Sequence, residues 1–240
     1  MTPDIWSKAD LHIHSSHSDG LARIPDIMEY VQNKTDLKVI AITDHNTMEG
    51  ALFAKELEEL YDFQVIVGEE VSTKSGHVIG LFLEEEIPAG LSVTETISRI
   101  NEQEGIAIIP HPFSNQGIFG PFGRSAFAAA INELAFHALE VYNSIPYLTW
   151  ANSVAAKMFT GGQGIAATGG SDAHILEGIG TGYTVFRGTT AEDLRASIDR
   201  LETRAETGRE GLNIAWRYAF KIPQIRRQRL WHAERCRVSS

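Results

Sequence analysis

Short runs of nearly continuous apolar residues alternate along this chain with stretches whose apolar positions recur every three or four residues. The runs are "ADLHIHS", "KVIAIT", "QVIVGEEVS", "HVIGLFL", "IAIIPH", "ALEVYN", "GIAATGG" and "YTVF". Such runs predict strands covered on both faces, as in a largely parallel sheet. Between them, Phe53, Leu57 and Leu60 share one helical face, as do Val93, Ile97 and Ile100, and Leu194, Ile198 and Leu201. Ser92 with Glu95 reads as a capping box that starts a helix, and Thr190 with Asp193 resembles one. Strand–helix alternation over this length predicts an α/β fold, either a barrel or an open doubly wound sheet. No internal repeat or low-complexity segment interrupts it.

Two stretches depart from the alternation. "PHPFSNQGIFGPFGRSAF" is long and rich in Gly, Pro and Ser, and reads as a functional loop or a surface insertion. The end of the chain, "AWRYAFKIPQIRRQRLWHAERCRVSS", reads as an appended helix, packed or solvated and interrupted at Pro223. These readings divide the chain into a domain over 1–210 and a basic helical extension over 211–240.

The chain has 240 residues, a size that suits a single α/β barrel, and a formal net charge of −10. That charge argues against generic binding to nucleic acid backbones. From Arg217 onward, however, seven Lys/Arg stand against one Glu, so the tail carries +6 and the remainder −16. A nucleic acid partner is therefore possible but not favoured. The one cysteine, Cys236, allows no intrachain disulfide. There is no signal-peptide pattern and no apolar run of membrane-spanning length. Together these features lead us to expect a cytoplasmic protein without a membrane span.

The candidate chemistry lies at the strand borders. His12 and His14 alternate with Leu11 and Ile13, so in a strand the two imidazoles project together, about 7 Å apart. Alone, H-x-H is a weak signal. It is joined by Asp44 and His45 where one apolar run ends, by Glu69 and Glu70 in another, by His77 where a strand begins, by His111 at a strand end, and by Asp172 and His174 spaced i, i+2. Buried imidazoles and carboxylates without partners cost several kcal/mol, and shared metal ions would supply the partner. In a β/α barrel the strand C-termini form one rim, where such residues meet. His77 precedes its strand and reaches that rim only if the strand returns as a hairpin.

In this order, "DLHIHSSHSDG", "ITDHNT", "GEE", "GH", "HPF", "EVYN" and "GGSDAH" resemble the PHP (polymerase and histidinol phosphatase) family over roughly residues 8 to 188. "RGTTAEDLRASI" resembles the closing portion of small stand-alone members. The resemblance implies a distorted (β/α)7 TIM-like barrel with two or three divalent ions at the strand C-terminal rim. It places His12, His14, a glutamate and Asp172 on a first ion. The same glutamate holds a second ion with His77 and His111, and Asp19, His45 and His174 hold a third. Strand parity does not choose between Glu69 and Glu70; the family pattern G-x-E selects Glu70. Several members carry histidine at the position of Asp19, so this third site is richer in oxygen. His17 lies close enough to substitute, and Asp19 could instead be a turn residue before Gly20.

The implied ligands are nitrogen and oxygen only, which suits Zn, Mn or Fe. A carboxylate shared by two ions implies a bridging hydroxide as nucleophile, with Glu70, Asp172 and His174 as the catalytic group. The expected activity is hydrolysis of a small phosphorylated metabolite or nucleotide. Asp10 and Asp44 are expected to accept from ligand imidazoles, and Arg124 and Asn143 to contact substrate, Arg124 through its phosphate-matching fork. The alternatives are a non-catalytic or regulatory PHP module, an amide or deaminase hydrolase, and a nucleic-acid-processing phosphodiesterase guided by the tail. Amide and deaminase hydrolases usually employ a strand-end lysine or a single ion, and no lysine stands in these motifs. The sequence carries no signal of oligomeric state.

Overall fold

A computed structural model describes residues 5–131, 133–161, 163–208 and 211–238; side chains at 211–213, 216 and 233–238 fall outside it, Cys236 among them, as does the proposed domain junction at 209–210. The first half runs β1 (Trp6–Ile13), α1 (Ile24–Lys34), β2 (Leu37–Ile42), α2 (Glu49–Leu57), β3 (Gln64–Thr73), β4 (Gly76–Leu81), α3 (Val93–Glu102) and β5 (Ile106–Ile109). The second half runs α4 (Arg124–Ala130), β6 (Ala138–Asn143), α5 (Thr149–Met158), β7 (Ala166–Gly170), β8 (Gly182–Arg187), α6 (Ala191–Asp199), β9 (Arg204–Thr207) and α7 (Gly211–Val238). All eight apolar runs are strands.

The strands form one sheet in the order β7-β6-β5-β4-β3-β2-β1-β8-β9. It curls until its ends meet, giving a nearly closed barrel. The seam is polar. Thr184 Oγ1 accepts from Gly169 N at 3.0 Å, and Ser171 Oγ donates to His12 O at 3.2 Å. Ile13, the last residue of β1, forms a parallel bridge with Ala173 beyond the end of β7. The barrel is mixed rather than uniformly parallel. β3 is parallel to β2 over Gln64–Val67, then antiparallel to β4 from Gly68 to Thr73, and β8 runs antiparallel to β1. The long β3 thus overshoots the rim, and β4 turns back over it. This hairpin pairs Ser72 with His77 and returns His77 to the rim.

Helix packing departs from the expected faces at α2 and at Leu201, which lies past the end of α6 and is 45% exposed. Phe53 and Leu60 are 39% and 75% exposed, and α2 buries Gly50, Ala51 and Ala54 instead. The cause is close approach: a Cβ on Gly50 would lie 2.3 Å from Asp44 Oδ2. A helix pressed this tightly onto the rim presents its small residues to it. In α3, Ile97 and Ile100 are buried, and in α6 so are Leu194 and Ile198. Ser92 accepts from Glu95 N, and Thr190 with Asp193 forms the full reciprocal capping box. The strict alternation expected around His12 also fails. Leu11 packs with Val39, Ala41 and Ile66, but Ile13 packs with α1 and α2 residues, because β1 shifts register between Asp10 and Ile13.

Asp10 ties β1 to the seam. Its carboxylate accepts from Ser171 N, Gly180 N and His12 N, at 3.0, 2.8 and 3.4 Å. Burial pushes its carboxyl up to about 6, against the pull of these hydrogen bonds. The expectation that Asp10 accepts from an imidazole is therefore corrected: it serves backbone amides. Asp10→Ala strands three backbone donors, two of them buried, and is expected to cost about 3 kcal/mol. This corresponds to a fall in Tm of roughly 6–12 °C for a chain of this size, read by calorimetry.

The segment 111–123 is pinned rather than loose. Phe113, Phe119 and Phe127 stack mutually with ring centroids 5.3–5.8 Å apart. Among the described residues, no helix is long and apolar enough to cross a membrane.

Candidate metal centre

The strand ends deliver nine side chains to one buried spot: His12 and His14 from the end of β1, Asp19 from the next loop, His45 after β2, Glu70 from β3, His77 from β4, His111 after β5, and Asp172 and His174 after β7. Glu70 is at the centre. Its Oε1 lies 2.9 Å from His77 Nδ1 and 3.1 Å from His111 Nε2. Its Oε2 lies 3.1 Å from His45 Nδ1, 3.4 Å from His14 Nε2 and 3.5 Å from His12 Nε2. Asp172 Oδ1 stands 3.2 Å from His14 Nε2 and 3.5 Å from His12 Nε2. Asp19 Oδ1 stands 3.1 Å from His174 Nε2. Glu69 turns away, its Oε2 accepting from Ile87 N at 2.9 Å. Burial pushes the Glu69 carboxyl up to about 8.

These contacts are not a saturated hydrogen-bond network. His12 Nε2, His14 Nδ1 and Nε2, Asp19 Oδ1, His45 Nδ1 and His174 Nε2 are buried without a hydrogen-bond partner among the described residues. Each lies 3.1–3.6 Å from a cluster partner, Glu70 Oε2, Asp172 Oδ1 or one another, without the alignment a hydrogen bond needs. Buried polar atoms are nearly always satisfied, so this concentration of unpaired donor atoms fits cations. The candidate ligand atoms fall into four overlapping groups, each within 4.8 Å: His14, Asp19, His45 and His174; His12, His14 and Glu70; His12, His111 and Asp172; and His45, Glu70 and His77. The residues are those named from the sequence, but the grouping differs in part. His14 joins the Asp19 set, and His111 groups with His12 and Asp172 as well as touching Glu70.

Outer contacts orient the rings. His12 Nδ1 pairs with Glu140 Oε1 at 3.0 Å, His111 Nδ1 with Ser114 Oγ at 3.1 Å, and His174 Nδ1 with Asp172 O at 2.9 Å. Each pairing leaves Nε2 facing inward, as metal-binding imidazoles require. His111 and Asp172 hold positive φ of 28° and 52°, a local strain that the surrounding contacts maintain.

Electrostatics point the same way. Burial works against the charge on Glu70, yet His77, His45 and His12 hold its carboxyl well below the ordinary value. Asp172 and Asp19 are lowered likewise against burial, Asp172 first by His12 and Asp19 first by His174. Burial opposes charge on His174, but Asp19 raises it to about 9. Burial alone dominates at His45 and lowers it to about 3. The pocket thus gathers positive charge around its carboxylates, a role that divalent cations fill while displacing the protons.

Glu140 was not singled out from the sequence. Its Oε2 accepts from His111 N at 2.7 Å and Asn143 Nδ2 at 2.9 Å while Oε1 holds His12. The available signal was an acid inside the otherwise apolar run "ALEVYN". Gly170 makes room for it, since a Cβ there would lie 2.6 Å from Glu140 Oε1. Glu140→Gln is expected to lower metal affinity by about 10- to 100-fold, measured by chelator competition.

Asn143 is buried and donates to Asp172 Oδ2 at 3.1 Å, which makes it an orienting group for that carboxylate. Arg124 is exposed at the first residue of α4. Asp44 accepts from Ser15 N, Ser15 Oγ and Ser18 Oγ. It secures the loop that carries Asp19 and, contrary to expectation, makes these bonds to serines, with no hydrogen bond to an imidazole among the described residues. His17 lies 3.4 Å from Glu49 Oε2, away from the cluster.

The sequence matches the PHP domain family over residues 10–143 and the PHP-associated family over 151–203. The chain belongs to the PHP domain family. An uncharacterised Methanocaldococcus jannaschii protein is 42% identical to this PHP chain over 148 residues, 57% of this chain and 82% of that protein. A phosphoribosyl 1,2-cyclic phosphate 1,2-diphosphodiesterase of Eggerthella lenta is 36% identical over 86 residues, 33% of this chain and 32% of that one. Among solved structures, a two-domain Bacteroides vulgatus protein, described as containing a predicted PHP-like metal-dependent phosphoesterase, superposes with a TM-score of 0.68 at 20% identity. That superposition covers 86% of this chain and 67% of that one. Endonuclease Q in complex with a duplex substrate superposes at 0.62 and 19% identity, covering 82% and 57%. At these identities the structural likeness concerns the fold.

Proposed function

We propose that this PHP chain is a metal-dependent phosphoesterase acting on a small phosphorylated molecule, with His12, His14, Asp19, His45, Glu70, His77, His111, Asp172 and His174 holding two or three divalent ions. The observation that carries this reading is the set of unpaired nitrogen and oxygen atoms aimed inward around Glu70. Such ions lower the pKa of water and neutralise charge on a phosphoryl group. The chain's own work is positioning. Glu70 offers one oxygen to the His77–His111 side and the other to the His12–His14–His45 side. Asn143 and Glu140 fix Asp172 and His12, and His174 lines the adjoining cavity.

Small substrates are favoured over polymers because α7 residues wall the openings beside the cluster. It leaves two cavities of about 300 and 350 Å³, the lower end of the range for small-molecule sites. The Eggerthella lenta phosphodiesterase and the Bacteroides vulgatus protein with its predicted PHP-like phosphoesterase lend support. The test is a panel of phosphomonoesters, phosphodiesters and amides assayed after metal removal and reconstitution. Metal-dependent turnover of a phosphoester supports the reading. Amide turnover, or none on any phosphoester with metal restored, contradicts it.

A further inference from the structure

Helix α7 lies beyond the residues matched to the PHP families, the last of which is Thr203. It nevertheless forms part of the walls of both cavities beside the cluster. Tyr218, Ile222, Ile225, Arg229 and His232 recur at i, i+4, i+7, i+11 and i+14, one face of a helix. That face docks on the site. Tyr218 is buried with Ile175 and Ile214, and its hydroxyl accepts from His174 N at 3.2 Å. Arg229 donates to Asp19 Oδ2 from Nε at 2.7 Å and from Nη2 at 2.6 Å. His232 Nε2 lies 2.7 Å from His45 O, and Gln228 donates to Ser16 O.

The larger cavity has two chemically distinct parts. Arg226 and Arg229 stand on α7 in the same wall set as His174, which belongs to the cluster. The remaining walls are Ile145, Ile222, Ile225 and the rings of Tyr147 and Tyr218. Arg229 also lines the smaller cavity, which His45 and His77 border. It is therefore the cationic post between the two openings. Asp19 is 1% exposed and engages Arg229 through one oxygen only, while the Arg229 side chain is 45% exposed and its guanidinium, with Nε and Nη2 on Asp19, retains further donors. A phosphoryl group matches that planar fork, and an anion between Arg229 and a cation-loaded cluster relieves their mutual repulsion.

Resting on the phosphoesterase reading above, we propose that α7 is the substrate-recognition wall: Arg226 and Arg229 hold the phosphoryl group of a small phosphomonoester whose flat, apolar moiety packs against Tyr147, Tyr218, Ile222 and Ile225. The inference assigns a specificity role to a segment that the family match does not include. It also gives a function to the basic face of the tail that requires no nucleic acid.

The test is calorimetric binding of two non-hydrolysable probes, methylphosphonate and phenylphosphonate, to the metal-loaded full chain. They share a headgroup and differ by the ring. Phenylphosphonate is expected to bind at least about tenfold more tightly, the gain from burying a ring face. Ile225→Ala is expected to shrink that preference to about threefold or less while leaving methylphosphonate affinity within about twofold. Arg229→Met is expected to weaken both probes by about tenfold or more, with Arg229→Lys restoring part of it. Because Arg229→Met also removes one partner of Asp19, Arg226→Met gives the same readout from an exposed residue. Equal affinity for the two probes in the unaltered chain, or undiminished binding in both Arg226→Met and Arg229→Met, overturns the proposal. If neither probe binds while a phosphomonoester is still hydrolysed, this inference alone fails. If no phosphoester is hydrolysed with metal present, the underlying reading fails with it.

Discussion

Replacing Glu70 with glutamine is expected to reduce phosphoester hydrolysis by about 10³-fold, equivalent to roughly 4 kcal/mol of transition-state stabilisation. The side chain keeps its size, and both of its heavy-atom positions remain. What changes is charge and donor sense. Glu70 Oε1 is shared by His77 and His111, and Oε2 by His45, His14 and His12. Glutamine offers one neutral acceptor and one NH2, so one side of the cluster meets a donor where it had an anion. The loss is expected chiefly in kcat, with retained far-UV circular dichroism showing that the barrel still forms. Glu69→Gln serves as the internal control: that side chain faces Ile87 N, away from the histidines. Its effect should be on stability rather than turnover. Equal activity for Glu70→Gln and the unaltered chain would remove Glu70 from the centre of the site.

Metal removal should produce the second large effect, on stability. An ion that binds only the folded chain, present at about a thousand times its Kd, stabilises by about 4 kcal/mol per site. For a chain of this length that corresponds to roughly 8–16 °C in Tm for one site. Differential scanning calorimetry of chelated and reconstituted protein reads the shift directly. The chelated form should still fold, because protonated histidines partner the carboxylates; Asp19 raises His174 against burial, and Asp172 does so for His12. The same titration on Glu70→Gln should give a much smaller shift. A Tm indifferent to Zn, Mn and Fe in the unaltered chain would mean that the inward-facing imidazoles hold no cation.

Much of the barrel was legible because a strand covered on both faces writes itself as an apolar run. The histidine pairs were legible for a related reason: polar groups at the ends of such runs must converge on the rim. What escaped follows from physics that is not local. The α2 face was misread through Phe53 and Leu60, since tight packing on Asp44 selects Gly50, Ala51 and Ala54, which carry little hydrophobic signal. Helix α1 was overlooked although Ile24, Ile27, Met28 and Val31 have helical spacing and are buried. Strand β9 is short and mostly exposed, so its sequence shows no apolar run. Glu140 sits beside His12 across 128 residues of chain, a separation that no spacing rule bridges. Arg124 drew attention as the arginine of a Gly/Pro-rich segment; Arg229, which bonds to Asp19 of the cluster, comes from a tail read as packed, solvated or guiding a nucleic acid. Parity along β3 could not separate Glu69 from Glu70; the hairpin with β4 turns Glu70 toward the imidazoles.

The central claim is that these nine side chains enclose divalent cations. Anomalous diffraction from crystals of the purified chain, collected on either side of the Zn, Mn and Fe absorption edges, addresses it most directly. The account predicts two or three anomalous peaks among His14, Glu70 and Asp172, each within bonding distance of imidazole nitrogen and carboxylate oxygen. An ordered site with no anomalous peak after soaking in each metal, or peaks found only elsewhere on the surface, would contradict it.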